Sequence, residues 1–185
     1  ITISKCKTFT APSADRDFVY AKLLRNVESA CIKLRRYRLR ARLLSVALRR
    51  RDFSQVALEA RLNRATSAPQ EMAPLILHLF EQLYEPGTEY RTTMVLMGEL
   101  EDDQVEQYEL FEDRVRIENL TRASHAIDTV NERYGKHKVG LGSSLFLDQH
   151  RRTSRDDTPL RKHSLLNGET ARQRLNIPRL GVKVT

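Results

Sequence analysis

ARLLSVALRRRDFSQVALEARLNR, residues 41–64, decides the fold. Read as extended chain, Leu44, Val46 and Leu48 fall on one side, with Ser45, Ala47 and Arg49 on the other. The second run repeats the pattern, with Val56, Leu58, Ala60 and Leu62 opposite Glu59, Arg61 and Asn63. Alternation with period two is the mark of a half-buried strand. Only Arg50–Ser54 separates the runs, so they are predicted to form an antiparallel hairpin. Such a hairpin buries one face and leaves the other in water, and the apolar face needs helices to cover it.

The flanking sequence supplies them. ITISKCKTF (1–9) alternates like a strand and is broken at Pro12 and Ser13. Ser13 is expected to cap the helix that follows, with Asp15 and Asp17 at its positive end. Tyr20, Leu24, Val27, Cys31 and Leu34 make one apolar stripe, and the helix closes in KLRRYR, cations at the negative end of the dipole. Downstream, Ser67-Ala-Pro-Gln70 reads as a capping box. It opens a second helix with Met72, Leu75, Ile76, Leu79, Phe80 and Leu83 on its buried face. Pro74 either belongs to the first turn of that helix or kinks it. Pro86 and Gly87 end it, and YRTTMVLMGEL (90–100) is a fourth strand. The expected fold is therefore α+β: a four-stranded antiparallel sheet in the order β-α-β-β-α-β, two helices on one face, and a partly irregular C-terminal extension.

At 185 residues, with 40% apolar residues, the chain can hold one ordinary core plus an appendage. No apolar run approaches the length of a membrane-spanning helix, and no signal-peptide core is expected. Ile1 is not an initiator methionine, so a piece of a longer protein is expected. Cys6 and Cys31 are too few for a disulfide framework or a cysteine zinc site, and both are expected to be small buried side chains in a reducing cytosol.

The net charge of +8 is unevenly spread. Residues 1–64 carry +11, residues 65–120 carry −10, and residues 121–185 carry +7. A basic block beside an acidic one points to two partners of different kinds. Arg49 and Arg61 are predicted on the open sheet face, with Lys5, Lys7 and Arg91 on neighbouring strands and small residues such as Ser45 and Ala47 between them. A flat basic face suits phosphate contacts, and a solvated sheet surface with scattered arginines is the plainer alternative. An RNA-recognition sheet would carry stacking aromatics on its central strands. Here Phe53 and Tyr90 stand only at strand ends, which favours backbone contact.

Catalytic chemistry is sparse. Two-metal catalysis needs carboxylates placed to hold magnesium. Asp102-Asp103, Asp156-Asp157, Glu101-Asp102 and Glu112-Asp113 all read as solvated loop charge. The histidines show no metal-ligand spacing, and Gly140-Leu-Gly142-Ser-Ser lacks the lysine of a phosphate loop.

Four spaced blocks, ISKCKTF, DRDFVYAKLLRNVESACIKLR, ARLLSVALRRRDF and YRTTMVLMGEL, together resemble the little-finger domain of Y-family, DinB/UmuC-like translesion DNA polymerases of the ImpB/MucB/SamB type. The likeness spans roughly residues 3–100. It implies a sheet whose open side lies along the major groove of the primer–template duplex and holds its phosphates. The family's Ser-Arg-Thr on the third strand stands here as Ala60-Arg61-Leu62, which carries over Arg61, and Arg91 matches one of a pair of basic residues on the last strand. The resemblance further implies a polymerase by parentage, acting in DNA repair and the SOS response in the bacterial cytoplasm, at the nucleoid. Its catalytic palm and Mg2+ ions would precede Ile1, leaving no catalytic residue and no cofactor in this part.

Between Glu99 and Asp113 stand eight carboxylates and no basic residue, yet Tyr108, Leu110 and Phe111 lie among them. Gln107-Tyr108-Glu109-Leu110-Phe111 resembles the Q-L-x-L-F pentapeptide by which bacterial polymerases dock on the β sliding clamp, with Tyr108 in place of leucine. An extended segment can press Leu110 and Phe111 into an apolar pocket while Gln107 fixes the register. Surrounding carboxylates keep it solvated and away from DNA. The expected organisation is a DNA-binding domain over 1–101, an acidic clamp-binding linker over 102–120, and an extension over 121–185. In that extension Ala123, Ile127, Val130 and Tyr134 predict a short helix capped by Gly135, and KHKVGLGSSLFL a strand or extended segment. A second reading stays open: an independent basic α+β module that binds RNA, with QYELF as part of its own core.

Overall fold

A computed structural model of the chain describes residues 2–103, 113–135, 137–144 and 146–149. Four strands, β1 (Ile3–Ser13), β2 (Leu39–Arg50), β3 (Gln55–Thr66) and β4 (Tyr90–Asp102), form one antiparallel sheet in the spatial order β1-β4-β2-β3. Helices α1 (Arg16–Arg36) and α2 (Pro69–Leu83) cover one face, α1 packing on β1, β4 and β2, and α2 on β3 and β2. The α+β architecture and element order expected from the sequence are those observed.

The hairpin alternation survives intact. Paired residues on adjacent strands project to the same face. Met97–Leu44–Ala60, Val95–Val46–Leu58 and Thr93–Leu48–Val56 therefore run across β4, β2 and β3 beneath the helices. The α1 stripe of Leu24, Val27, Cys31 and Leu34 meets this layer, together with Met72, Ile76, Leu79 and Phe80 of α2. Leu75 is only half-buried.

Local signals were displaced where neighbouring acceptors compete. Asp15, not Ser13, caps α1, accepting from the backbone N–H groups of Asp17 and Phe18 at 3.1 Å. Ser13 ends a β1 longer than its apolar pattern, and its hydroxyl accepts from the Asp15 N–H. Pro12 is tolerated there because β1 is an edge strand whose ladder is irregular between Thr8 and Ser13. The capping box at Ser67 does not form. Thr66 takes its place, accepting from the Ala68 N–H and donating to the Glu71 carboxylate. Pro69 occupies the first turn of α2, where its missing N–H is harmless, and Pro74 lies inside a helix that continues to Leu83.

The extension begins with α3 (Arg114–Tyr134), capped by Asp113 and closed at Gly135 with φ 111°. Its buried residues are Ile117, Ser124 and Asn131; of the predicted apolar stripe Ile127 is half-buried, whereas Val130 and Tyr134 are exposed, so only part of that stripe is the docking face. A charged pair fixes the docking. Arg35 of α1 forms a two-pronged pair with Asp128, one bond of 2.7 Å, and also donates to the Ser67 carbonyl. Beyond α3 the described residues form a turn at Gly142–Ser144 and a one-turn helix, α4 (Phe146–Gln149), in place of the strand or extended segment expected. The amide N–H of Leu141 and the Ser144 hydroxyl donate to Glu28, an α1 carboxylate 5% exposed. The His137 ring reaches both Glu28 and the Ser29 hydroxyl. The extension thus lies on the helix layer, leaving the opposite sheet face open.

Candidate nucleic-acid interface

The same pairing fixes the open face. From β1 through β4 and β2 to β3 its rows are Ser4–Leu96–Ser45–Glu59, Cys6–Met94–Ala47–Ala57 and Thr8–Thr92–Arg49–Gln55, with Gly98–Leu43–Arg61 completing one end. The centre is a carpet of hydroxyls and small or flexible apolar side chains, and its cations stand toward β3. Thr8 and Thr92 share a hydroxyl hydrogen bond of 3.2 Å across the β1–β4 seam. Cys6, expected to be buried, is exposed here because it alternates onto the uncovered face, while Cys31 lies within the core.

Arg49 is exposed and donates to the Gln55 side chain at 3.1 Å. Arg61 is exposed and forms an ion pair with Glu99. Glu99 has φ 48°, an uncommon conformation for a residue other than glycine, near the C-terminal end of β4. Arg91 stands where the β2–β4 register shifts, its guanidinium 4.9 Å from the centre of the Phe53 ring in the β2–β3 turn. The sheet therefore brings Arg49 and Arg61 together on one face, with Arg91 at its hairpin end.

Lys5 and Lys7 are not on this face. They pair with Val95 and Thr93, which look toward the helices, so they end the covered rows at the β1 margin. The sequence reading placed β1 in the wrong phase because a lysine pair resembles a solvent-facing pattern. An edge strand can keep lysine heads in water at the rim of a covered face while their stems lie along apolar surface.

Gln107, Tyr108, Leu110 and Phe111 lie outside the described residues. Their flanks are held on both sides. Arg40 donates to the Asp103 carbonyl at 2.7 Å, the Asp103 N–H donates to the Arg38 carbonyl, and Asp113 caps α3. Among the described residues there is no group of three or more His, Cys, Asp or Glu that could hold a metal ion. No described helix is long and apolar enough to cross a membrane.

The arrangement suits contact with a polyanion's backbone. Arginines at the β3 side supply charge, and Ser4, Ser45 and Thr8 supply hydroxyls on a surface with no deep pocket. What sequence reasoning missed is Glu28, a carboxylate beside an apolar stripe whose hydrogen-bond donors arrive from more than 100 residues downstream, with Arg25 of its own helix 3.8 Å away. Only the glycine-serine run at 140–144 hinted at a turn that could offer donors.

Comparison with known families matches residues 2–110 to the impB/mucB/samB family C-terminal domain. A search of curated proteins gave no match. Among solved structures, an insertion ternary complex of Dbh DNA polymerase is similar at 11% identity and a TM-score of 0.46, covering 52% of this chain and 28% of that one. DinB from Sulfolobus solfataricus gives the same identity, score and coverage. A complex of the beta-clamp processivity factor and the little finger domain of PolIV is similar at 14% identity and a TM-score of 0.46, covering 60% of this chain and 100% of that one. The chain thus spans 28% of the Dbh and DinB chains it matches.

Proposed function

Since the chain belongs to the impB/mucB/samB family, through the C-terminal domain of that family, we propose that it is the DNA-holding, clamp-docking part of a translesion DNA polymerase acting on nucleoid DNA in the bacterial cytoplasm. The observation that carries this reading is the uncovered sheet face with Arg49 and Arg61 on it and Arg91 at its end, on the side away from the C-terminal extension. Phosphates of a primer–template duplex lie against the arginines and receive hydroxyl donors from the carpet, without readout of base sequence. Arg61 exchanges Glu99 for a phosphate when DNA binds. Lys5 and Lys7 contribute from the β1 rim through charge alone. Nucleotidyl transfer and its Mg2+ ions belong, in this reading, to parts of the polymerase outside these 185 residues. The acidic segment around Gln107, Tyr108, Leu110 and Phe111 is the β-clamp ligand.

Equilibrium binding to a primer–template duplex tests the DNA arm. Log K is expected to fall steeply with log salt, and Arg61→Ala to weaken binding on every sequence while lowering the slope by roughly 1. Cys6 adds a footprint, since duplex on the open face should protect it from alkylation. Cys31 stays silent because burial pushes its thiol up to about 12. Preference for single-stranded RNA, or a Cys6 equally reactive with and without DNA, would turn the assignment toward the RNA-binding module. For the clamp arm, Leu110→Ala with Phe111→Ala is expected to abolish clamp binding at an unchanged melting temperature.

A further inference from the structure

The β2–β3 turn holds an aromatic ring in water at some conformational cost. Phe53 is 64% exposed, and its φ is 70°, in the left-handed region that a bulky residue without a local hydrogen-bonding side chain seldom adopts. The turn is nevertheless tightly fixed. The Arg50 N–H donates to the Ser54 carbonyl at 2.9 Å, and the Phe53 N–H to the Arg50 carbonyl at 3.1 Å. Both the N–H and the hydroxyl of Ser54 donate to Asp52, and the Arg51 N–H ties the turn to the Glu89 carbonyl. Arg91 supports the ring through its guanidinium at 4.9 Å. A ring so exposed, with a cation over one face, keeps most of its remaining surface in water. Tyr90, the remaining aromatic of the strand ends, is fully buried with its hydroxyl on the Leu83 carbonyl, which leaves Phe53 alone in this position.

Charge around the ring argues against another phosphate contact. Arg50 pairs with Glu85 at 2.7 Å and Arg51 with Glu89 at 2.8 Å, so the cations of the turn itself are answered by carboxylates. The exposed guanidinium of Arg49 lies one step back along β2, paired in register with Thr92 next to Arg91. A strand whose phosphates pass Arg49 thus arrives at a π-face flanked by paired cations, with the Arg91 guanidinium laid over one side of the ring. We propose that Phe53, braced by Arg91, is a stacking platform for a single unpaired nucleobase where the duplex held by the sheet gives way to single strand. This rests on the DNA-holding reading and adds an aromatic contact to it. Every base has a π-face, so such a contact favours no sequence.

The test compares the 185-residue chain on three probes: a blunt duplex, the same duplex with a short single-stranded template tail, and that duplex with an abasic tail bearing the same phosphates. The base-bearing tail is expected to bind roughly five- to a hundredfold more tightly than the abasic one, the range that base–aromatic stacking gives. Phe53→Ala should erase that difference and leave the blunt-duplex affinity unchanged, and Phe53→Trp should keep it. Equal affinity of the unaltered chain for the two tails, with blunt duplex still bound, overturns the platform alone. So does a Phe53→Ala variant that retains the preference. Failure to bind the blunt duplex overturns the DNA-holding reading beneath it.

Discussion

Asp52 shows how one side chain governs the β2–β3 turn. Its carboxyl is held below the ordinary value of 3.8, first by the Ser54 hydroxyl and then by backbone N–H donation, with Arg50 adding a smaller push. A carboxylate depressed in the folded state contributes stability that is fully present above its unfolded value and is lost as pH falls through the folded one. The turn should therefore loosen only in acid, below the ordinary carboxylate range. In Ser54→Ala the Asp52 pKa should climb back toward 3.8, read from the carboxyl carbon shift in an NMR titration. An unmoved pKa would show that the backbone donors alone hold the charge. Because Phe53 depends on the same turn, its amide exchange should quicken in the same variant.

At the scale of elements, the Arg35–Asp128 pair is the joint between helix layer and extension. The Arg35 side chain is 6% exposed and that of Asp128 18%, so removing one partner strands the other in a poorly solvated place. Asp128→Ala is expected to cost about 3 kcal/mol, as broken buried pairs do, read from the urea midpoint. A loss under about 0.5 kcal/mol would mean the joint behaves like an exposed surface pair. The same joint explains what was legible in the sequence and what was not. Strands β2 and β3 could be read because period-two alternation is a property of the strand itself. The helices could be read from their apolar stripes. The α1 cap moved because Ser13 and Asp15 both offer oxygen and only the backbone path decides which reaches the first turn, while α2 starts at Ala68 with no side-chain cap at all. The phase of β1 was lost because Lys5 and Lys7 sit at a sheet edge, where the covered side is itself wet. The docking face of α3 was hidden for a related reason. Its charged link to α1 is Asp128, while Val130 and Tyr134 of the apolar pattern stay exposed. Polar contacts across long sequence distance leave no periodic trace. The site was half legible: Arg49 and Arg61 follow from strand alternation, while the Phe53–Arg91 stack depends on a register shift that no local pattern encodes.

For the whole molecule, the two faces are assigned to different work. Helices and extension occupy one side of the sheet, and the candidate DNA surface is the other. In the proposed reading, the polyanion takes the open sheet face and the clamp takes an acidic segment that repels it, so the two need not compete. Clamp affinity measured with and without saturating duplex should then agree within about twofold, a difference worth about 0.4 kcal/mol. Mutual exclusion would place both partners on a shared surface. In the same reading the opposing blocks of charge, +11 over residues 1–64 and −10 over residues 65–120, steer DNA toward one and away from the other.

The anchoring of Asp103 and Asp113 carries a last consequence. The nine residues between them leave from the end of β4 and return at the cap of α3, so the QYELF segment is chained at two points and not one. Its ends can separate by no more than about 32 Å, the fully extended reach of nine residues. In the proposed clamp-docking reading, a segment tied at both ends has fewer conformations to surrender on capture than one tied at a single end, so part of the entropy of docking is already lost when the extension latches onto α1. Grip on the helix layer and readiness of the proposed ligand are then, in that reading, one quantity seen from two places.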